Sequence, residues 1–425
     1  MIARARAAMG AHWNPQSILA NAASLFGATL VTSFLGFAFW ALAARLYDVR
    51  EIGQASAAIA AMTLVSTVGV LGLGTLIIGE VRRVPDPRAL ITTSCLVAAG
   101  TSLVLGIALV VVPGLQIELG SLQHDPVGAT LFALGVGLTA LTVVLDQACV
   151  GLLRGGLQLW RNTVFSVVKL VALPAGLLLA NGEMAVYAVW ALGNAVSLLT
   201  LYGHARRLGL HPGLKVDLGT LTGMRGMALN HHWLNLSGTA PRLLLPIIVL
   251  QSLGPEANAV FYSALLFAGF VYIVPIHLAT ALFALGRGEE GSLRRELRGS
   301  LRVALAVVGS ASVGALLLGG VALGVLGPEY RDGHTVLVML TFATLFGGMR
   351  SFYVATERVR DNLARAASVI TLCGLLEVSL ALVGAAWGDS LEAITLGYLV
   401  AQVLTGLAVA PYVLRAAGLS GSVPD

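Results

Sequence analysis

Apolar residues recur along this chain in long blocks rather than in alternation or in helical stripes. Twelve such blocks stand out, at about 21–46, 52–79, 90–112, 127–150, 162–180, 184–204, 229–250, 257–285, 301–324, 334–355, 364–386 and 391–414. A helix crosses ~30 Å of hydrocarbon with about 20 apolar residues, so each block is long enough to span a bilayer. All are expected to be helical, because an open sheet edge has no hydrogen-bond partners in lipid. No segment shows the ten-residue polar/apolar alternation of a membrane barrel.

The polar positions between the blocks carry a second pattern. Loops after the second, fourth, sixth, eighth and tenth blocks hold Arg82, Arg83 and Arg88, then Arg154 and Arg161, then Arg206, Arg207, Lys215 and Arg225, then Arg287, Arg294, Arg295, Arg298 and Arg302, then Arg358, Arg360 and Arg365. Arg4, Arg6 and Arg415 at the termini belong to the same side, whereas the other loops hold only Arg45, Arg50 and Arg331. Basic residues remain on the cytoplasmic side of membranes. The expectation is an all-α polytopic protein of the cell (cytoplasmic) membrane, with twelve transmembrane helices and both termini cytoplasmic.

Composition sharpens this picture. The chain is 57% hydrophobic and 11% charged, with mean hydropathy +0.86, against about 25% charge in soluble domains. The net charge of +5 sits in short loops, without the basic stripe or stacking aromatics of a nucleic-acid binder, so nucleic acid is not an expected partner. Cys95, Cys149 and Cys373 fall inside apolar blocks without metal-ligand spacing and read as small buried hydrophobes. Arg4 and Arg6 precede the first block, but no short apolar core leads to a cleavage site, so the first block reads as an uncleaved span.

The longest loop, His204 to Ala228, contains His211-Pro212-Gly213, Lys215 and Asp217 and leaves six spans on each side. This predicts an N-terminal lobe of residues 1–215 and a C-terminal lobe of residues 216–425, with no separate soluble domain. The turns after spans one and seven, beginning Arg50-Glu51 and Pro255-Glu256, both set a carboxylate before a small-residue helix start. Helix capping and an internal duplication both account for this; paired repeats with a site between them are common in transporters. Glycines such as Gly69, Gly72, Gly74, Gly347 and Gly348 read as close-packing positions, and Pro174, Pro246 and Pro275 as kinks.

Ionisable groups at lipid depth are costly and face a cavity or a partner. Lys169 in span five, placed roughly 10 Å above the cytoplasmic end at ~1.5 Å per residue, Arg242 in span seven and Arg350 in span ten are candidate substrate-binding residues, with Glu377 of span eleven as a possible partner. A chamber with more cations than carboxylates attracts an anion. Arg45 and Asp146 lie near enough to an interface to snorkel. His231 and His232 open span seven, where His232 is placed to titrate near neutral pH. Glu377, Asp146 and His232 are candidates for coupling to a sodium or proton gradient. No third ligand makes a metal site, no phosphate loop or catalytic signature is present, and no cofactor is expected. The largest outward loop, Pro113 to Pro126 with Glu118, His124 and Asp125, reads as a solvated linker. The protein is expected not to be an enzyme.

Gly36-Phe37, Ala44-Arg45-Leu46-Tyr47, Glu51-Ile52-Gly53 and Leu71-Gly72-Leu73-Gly74 within residues 21–80 resemble the opening spans of the Wzx-like polysaccharide flippases. These belong to the MOP (multidrug/oligosaccharidyl-lipid/polysaccharide) exporter superfamily. Pro241-Arg242, Leu253-Gly254-Pro255-Glu256, Phe261-Tyr262 and Leu326-Gly327-Pro328-Glu329-Tyr330 extend the likeness through the later spans. The resemblance implies a MATE/MOP-like fold of two six-helix lobes around a central cavity that opens alternately to each side. It implies export of a polyprenyl-(pyro)phosphate-linked oligosaccharide to the outer leaflet for cell-surface polysaccharide such as lipopolysaccharide. Arg242 and Arg45 match basic positions of that family; Lys169 and Arg350 rest on depth alone. Glycan polymerase and glycosyltransferases of the same pathway are the implied protein partners. Two rivals stand beside this: a drug or metabolite cation antiporter of the same superfamily, which needs carboxylates in its lumen, and a non-transporting scaffold of a glycan-assembly complex.

Overall fold

The computed structural model describes residues 15–112, 114, 117, 119–178, 182–207, 215–285, 290–360 and 362–419, with backbone alone for 15–30, 283–285 and 290–292. Arg4, Arg6, Pro113, Glu118, Asn181, His211, Pro212, Gly213 and Arg287 of the loop pattern lie outside the described residues. The long helices are α1 (Pro15–Leu46), α2 (Val49–Gly69), α3 (Leu73–Glu80), α4 (Pro87–Val111), α5 (Pro126–Gly151), α6 (Gly155–Ala172) and α7 (Gly182–Arg207) in the first half. In the second half they are α8 (Arg225–Leu253), α9 (Pro255–Leu285), α10 (Glu290–Gly324), α11 (His334–Val359), α12 (Leu363–Gly388) and α13 (Leu391–Ala416). Eleven described spans are long and apolar enough to cross a membrane. With α1, whose side chains are described from Val31 onward, they make the expected twelve. The described residues contain no strand.

The helices start where the sequence supplies caps. Asp48 accepts the Arg50 backbone N–H at 2.9 Å while Glu51 accepts that of Asp48 at 3.0 Å, a reciprocal capping box. Asp86-Pro87 and Asp125-Pro126 pair an N-cap carboxylate with a proline at the first helical position, where no N–H is needed. Asp217 caps a short helix, Leu218–Gly223, inside the long central loop. The two Thr220 bonds, from backbone and hydroxyl, hold the Asp217 carboxyl below the usual carboxylate range.

Several spans depart from the expected boundaries, α10 most of all: it begins at Glu290, eleven residues before its apolar block at 301, so Arg294, Arg295, Arg298 and Arg302, expected in a loop, are helix residues. The second span is broken between α2 and α3, where Gly72 takes φ +75° and its α-carbon faces α8 so closely that a Cβ would fall 2.1 Å from the Ala228 carbonyl oxygen. Only glycine fits both constraints. The fifth begins seven residues earlier than its apolar block, at Gly155 rather than 162. Arg161, expected in a loop, is therefore a helix residue and only 4% exposed. Lys169 lies 14 residues into α6, roughly 21 Å from its start at ~1.5 Å per residue, not 10 Å. The hydrophobic block marked the greasy part of the helix and missed about two turns that end in Arg161, whose charge Asp146 of α5 compensates. Pro174 does not kink this span; α6 ends at Ala172 and a 3-10 turn, Pro174–Leu178, follows.

We name the bundle's ends by Asp48 and by Arg82. Helix α2, 67% buried, is central, whereas the α10 span, 17% buried, faces outward with Leu317 and Val321. Ala55, Ala57, Ala58, Ala60 and Ala61 are all buried on α2 and let α8 and α9 of the second half come close. At the Asp48 end the starts of α2 and α9 meet directly: a Cβ on Gly53 would fall 1.7 Å from the Pro255 carbonyl oxygen. Asn258, fully buried, donates to Gly53 O at 2.7 Å and to Ser56 Oγ at 3.1 Å. Arg50 and Glu256 pair at 3.5 Å on the exposed rim, a bond of small energetic value. The two similar turns noted in the sequence thus abut. Toward the Arg82 end the halves are joined again, by the Gly72–Ala228 approach and by Asn235 Nδ2 donating to Thr75 Oγ1 at 2.7 Å.

Candidate binding cleft

Helices α8, α9, α11, α12 and α13 enclose a polar cleft within the second half. Its larger part, about 260 Å³, is lined among others by Asn235, Ser237, Tyr272, Arg350, Arg358 and Glu377. A smaller extension of about 60 Å³ shares Gly238, Tyr272, Arg350 and Glu377 with it and adds Arg242, Tyr398 and Gln402. Arg350 to Arg358 is eight residues of α11, so the cleft runs roughly 12 Å from the Arg82 end inward, at ~1.5 Å per residue, before reaching Arg242.

Arg350 is held on two sides. Its Nη1 donates to Glu377 Oε1, and its Nη2 donates to Gln402 Oε1 at 2.8 Å. Gln402 Nε2 in turn donates to the Tyr398 hydroxyl at 2.6 Å. The Arg350 Nε–H is buried with no acceptor, an uncompensated donor beside the cleft. The expected alternatives for Arg350, a cavity wall or a structural pair with Glu377, are thus both realised.

Arg242 differs. Its side chain is exposed to the cleft, and its guanidinium lies over Gly269, where a Cβ would come within 2.6 Å of Nη2. Among the described residues no carboxylate pairs with it and it makes no hydrogen bond. The tyrosines Tyr262 and Tyr398 are its polar neighbours. Among the described lining residues, Arg242 and Arg350 stand against the one carboxylate Glu377, with Arg358 farther toward the Arg82 end, a net positive lining.

Lys169 does not share this space. It is 3% exposed and sits on α6 among three rings, 3.8 Å from the Trp190 centroid, 4.5 Å from Phe165 and 4.8 Å from Phe39. The expected single chamber of Lys169, Arg242 and Arg350 is corrected in this respect: the second pair meets and the lysine occupies an aromatic box between α1, α6 and α7. Phe165 is one turn before Lys169 on α6, while Phe39 and Trp190 come from other helices; together the rings provide quadrupole stabilisation in place of a counter-ion.

Arg45, exposed at the end of α1, donates through Nη2 and Nε to the Val325 carbonyl oxygen at 2.6 and 3.2 Å, bridging the halves at the Asp48 end. Asp146 is turned inward and accepts two 2.6 Å bonds from Arg161. Arg161 also reaches Ser197 Oγ and Asn162 Oδ1. His232 is buried where α8 passes Gly72, and His231 is half-buried beside it. Sequence reasoning missed Arg161 as the partner of Asp146, and Tyr398 with Gln402, whose four-residue spacing on α13 was the available signal.

No protein-family profile and no characterised sequence relative matches the chain. Solved structures do. The fold matches an inward-facing multidrug resistance MATE family transporter of the MOP superfamily at TM-score 0.68 and 14% identity, over 93% of this chain and 96% of that one. It matches the lipid II flippase MurJ in an inward closed conformation at TM-score 0.67 and 13% identity, over 93% and 87%. A third match, at TM-score 0.63 and 13% identity over 96% of each chain, is a MOP superfamily transporter from Pyrococcus furiosus, described as having a binding pocket of reverse polarity that suggests a different function. The chain has the MATE/MOP transporter fold, and those neighbours are transporters and flippases rather than enzymes.

Proposed function

We propose that this protein is a flippase that exports a polyprenyl-(pyro)phosphate-linked oligosaccharide by alternating access, with lobes of residues 1–215 and 216–425. The arginine-rich Arg82 end faces the cytoplasm in this reading, by the positive-inside rule. The observation that carries the proposal is the unpaired Arg242 guanidinium in a net-positive cleft. A guanidinium offers paired N–H donors in a planar fork that matches phosphate oxygens. Tyr272 and Tyr398 line the same space and offer ring faces and hydroxyls to a sugar. A cation antiporter needs the opposite lining, so the cleft disfavours that rival.

The present state fits the cytoplasm-facing half of such a cycle. Arg45–Val325, Asn258–Gly53 and the aromatic contacts Phe37–Phe267, Phe37–Phe270 and Trp40–Tyr262 tie the halves together at the Asp48 end; Asn235–Thr75 and the Gly72–Ala228 approach join them again nearer the Arg82 end, and the cleft within the second half extends toward that end. The better match to an inward-facing than to an outward-facing MATE transporter, TM-score 0.68 against 0.62, supports the same reading. Of the three coupling candidates, Glu377, paired with Arg350, lines the cleft, whereas Asp146 pairs with Arg161 in the first half and His232 is buried where α8 passes Gly72, neither of them lining the cleft. A sodium or proton gradient acting at Glu377 is the coupling we favour.

The test is reconstitution into vesicles with a fluorescent undecaprenyl-pyrophosphate-linked glycan. Arg242→Ala is expected to slow translocation by roughly tenfold or more, the value of a charge-assisted bond, with thermal stability unchanged because the side chain makes no internal bond. Unchanged translocation in that variant removes the cleft assignment, and no translocation by the unaltered protein favours the scaffold reading.

A further inference from the structure

An apolar groove on the first half is not used by the cleft. Helices α4, α5 and α7 enclose one hollow of about 390 Å³ and another of about 500 Å³, which share Ile91, Leu145, Leu198 and Tyr202 and so form one channel. All lining residues belong to the first half. Leu96, Leu199 and Tyr202, which line it, are about half exposed or more, so it opens sideways toward the bilayer. It extends along α5 from Leu152 at the Arg82 end to Leu138. Those 14 residues cover roughly 21 Å at ~1.5 Å per residue. One leaflet contributes about half of the ~30 Å hydrocarbon core plus its interface. The groove is therefore as long as one leaflet is deep, and it stops near the middle of α5.

Arg88 and Asp86 line its mouth, and Asp86 caps α4 by accepting the Ala89 N–H at 3.1 Å. Further arginines surround that end: Arg154 is two residues beyond the lining Leu152, and Arg206 is four residues, about one helical turn, beyond the lining Tyr202; all three arginines are exposed. The Trp160 and His204 rings lie 6.0 Å apart at the same end, at a tilt of 47°, where amphipathic rings gather at headgroup level.

An apolar slot one leaflet deep under a collar of guanidinium groups is complementary to an amphiphile with one anionic head. We propose that this groove binds a phospholipid with an anionic headgroup, drawn from the leaflet at the Arg82 end. The lipid's acyl chain fills the slot between α4, α5 and α7, and its phosphate lies among Arg88, Arg154 and Arg206. This site is separate from the transport cleft and stands whether or not the proposed substrate is correct.

Native mass spectrometry of the full chain in detergent tests it with dioleoyl phosphatidylglycerol against dioleoyl phosphatidylcholine. One phosphatidylglycerol is expected to bind roughly tenfold more tightly than phosphatidylcholine, and the double variant Arg88→Gln/Arg206→Gln to lose that preference. Leu198→Trp, which fills the shared section, is expected to abolish binding, while Leu317→Trp on the outward face of α10 leaves it intact. Equal affinity for the two lipids, or normal binding by Leu198→Trp, overturns the proposal. Displacement of phosphatidylglycerol by equimolar undecaprenyl phosphate also overturns it, by assigning the slot to the substrate's tail. Cys95 gives a readout in the unaltered chain. It lines the groove, so phosphatidylglycerol but not phosphatidylcholine is expected to slow its labelling by a lipid-soluble maleimide, with Cys373 of the second half as internal reference. Unslowed labelling counts against the site.

Discussion

The two halves of this bundle bury positive charge by opposite means. In the second half, Arg350 is fixed by a carboxylate and an amide, and Arg242 beside it is left open to a cleft. In the first half, Lys169 is enclosed by Phe39, Phe165 and Trp190 without a carboxylate among the described residues, and Arg161 is taken up by Asp146, Asn162 and Ser197. The same type of signal in the sequence, a cation in an apolar block, thus marks a wet polar network in one place and a dry aromatic box in another. Charge at lipid depth shows that something compensates it, and only the tertiary neighbours say what.

The contrast is sharpest where a partner is removed. Arg350→Met leaves Glu377, 3% exposed, without its main donor, and breaking a buried pair on one side costs about 3–5 kcal/mol. A thermal melt in detergent is expected to show this loss, and Arg350→Met/Glu377→Met to recover most of it. If the single variant melts like the unaltered protein, the network is not structural. Trp190→Ala opens the box and is expected to cost about 3 kcal/mol through the cavity it leaves, but without rescue by any second charge substitution. Lys169→Met keeps the volume and removes the ammonium. It is expected to change stability by less than about 1 kcal/mol, since the lost ring attraction of about 2 kcal/mol is offset by the desolvation no longer required. A loss as large as that of Arg350→Met would mean the lysine has a partner comparable to Glu377. The smallest effect belongs to the join between the halves. The Asp217 carboxyl is held below its ordinary range by Thr220, so its contribution is present above the unfolded-state value and lost as pH falls through the lower folded value. A shallow loss of stability on acidification, absent in Asp217→Asn, checks this by melting at stepped pH.

The number and order of spans were legible because a bilayer demands long apolar blocks, and the block edges coincide with caps such as Asp86-Pro87 and Asp125-Pro126. The start of α6 was not. Trp160-Arg161-Asn162 reads as a polar loop until Asp146, fifteen residues away, is seen to satisfy it. The break at Gly72 was hidden for a related reason: Leu71-Gly72-Leu73-Gly74 is what helix packing also produces, and the decisive Ala228 carbonyl comes from another part of the chain. Arg242, Arg350 and Glu377 could be named from depth alone, and their meeting with Gln402 and Tyr398 could not. The aromatic box was least accessible, since its rings come from three helices spread over 150 residues of sequence.

The seam between Gly53 and Pro255 has a consequence for how the molecule can change shape. Two main chains touch there, with the short Asn258 amide beside them, so apart from the exposed Arg50–Glu256 pair little can stretch to keep contact as the surfaces separate. Dispersion falls away over a fraction of an ångström: a gap of about 0.5–1 Å already forfeits a quarter to a half of it. Such a junction does not yield by degrees. It favours two populations, one sealed and one parted, with few molecules caught between.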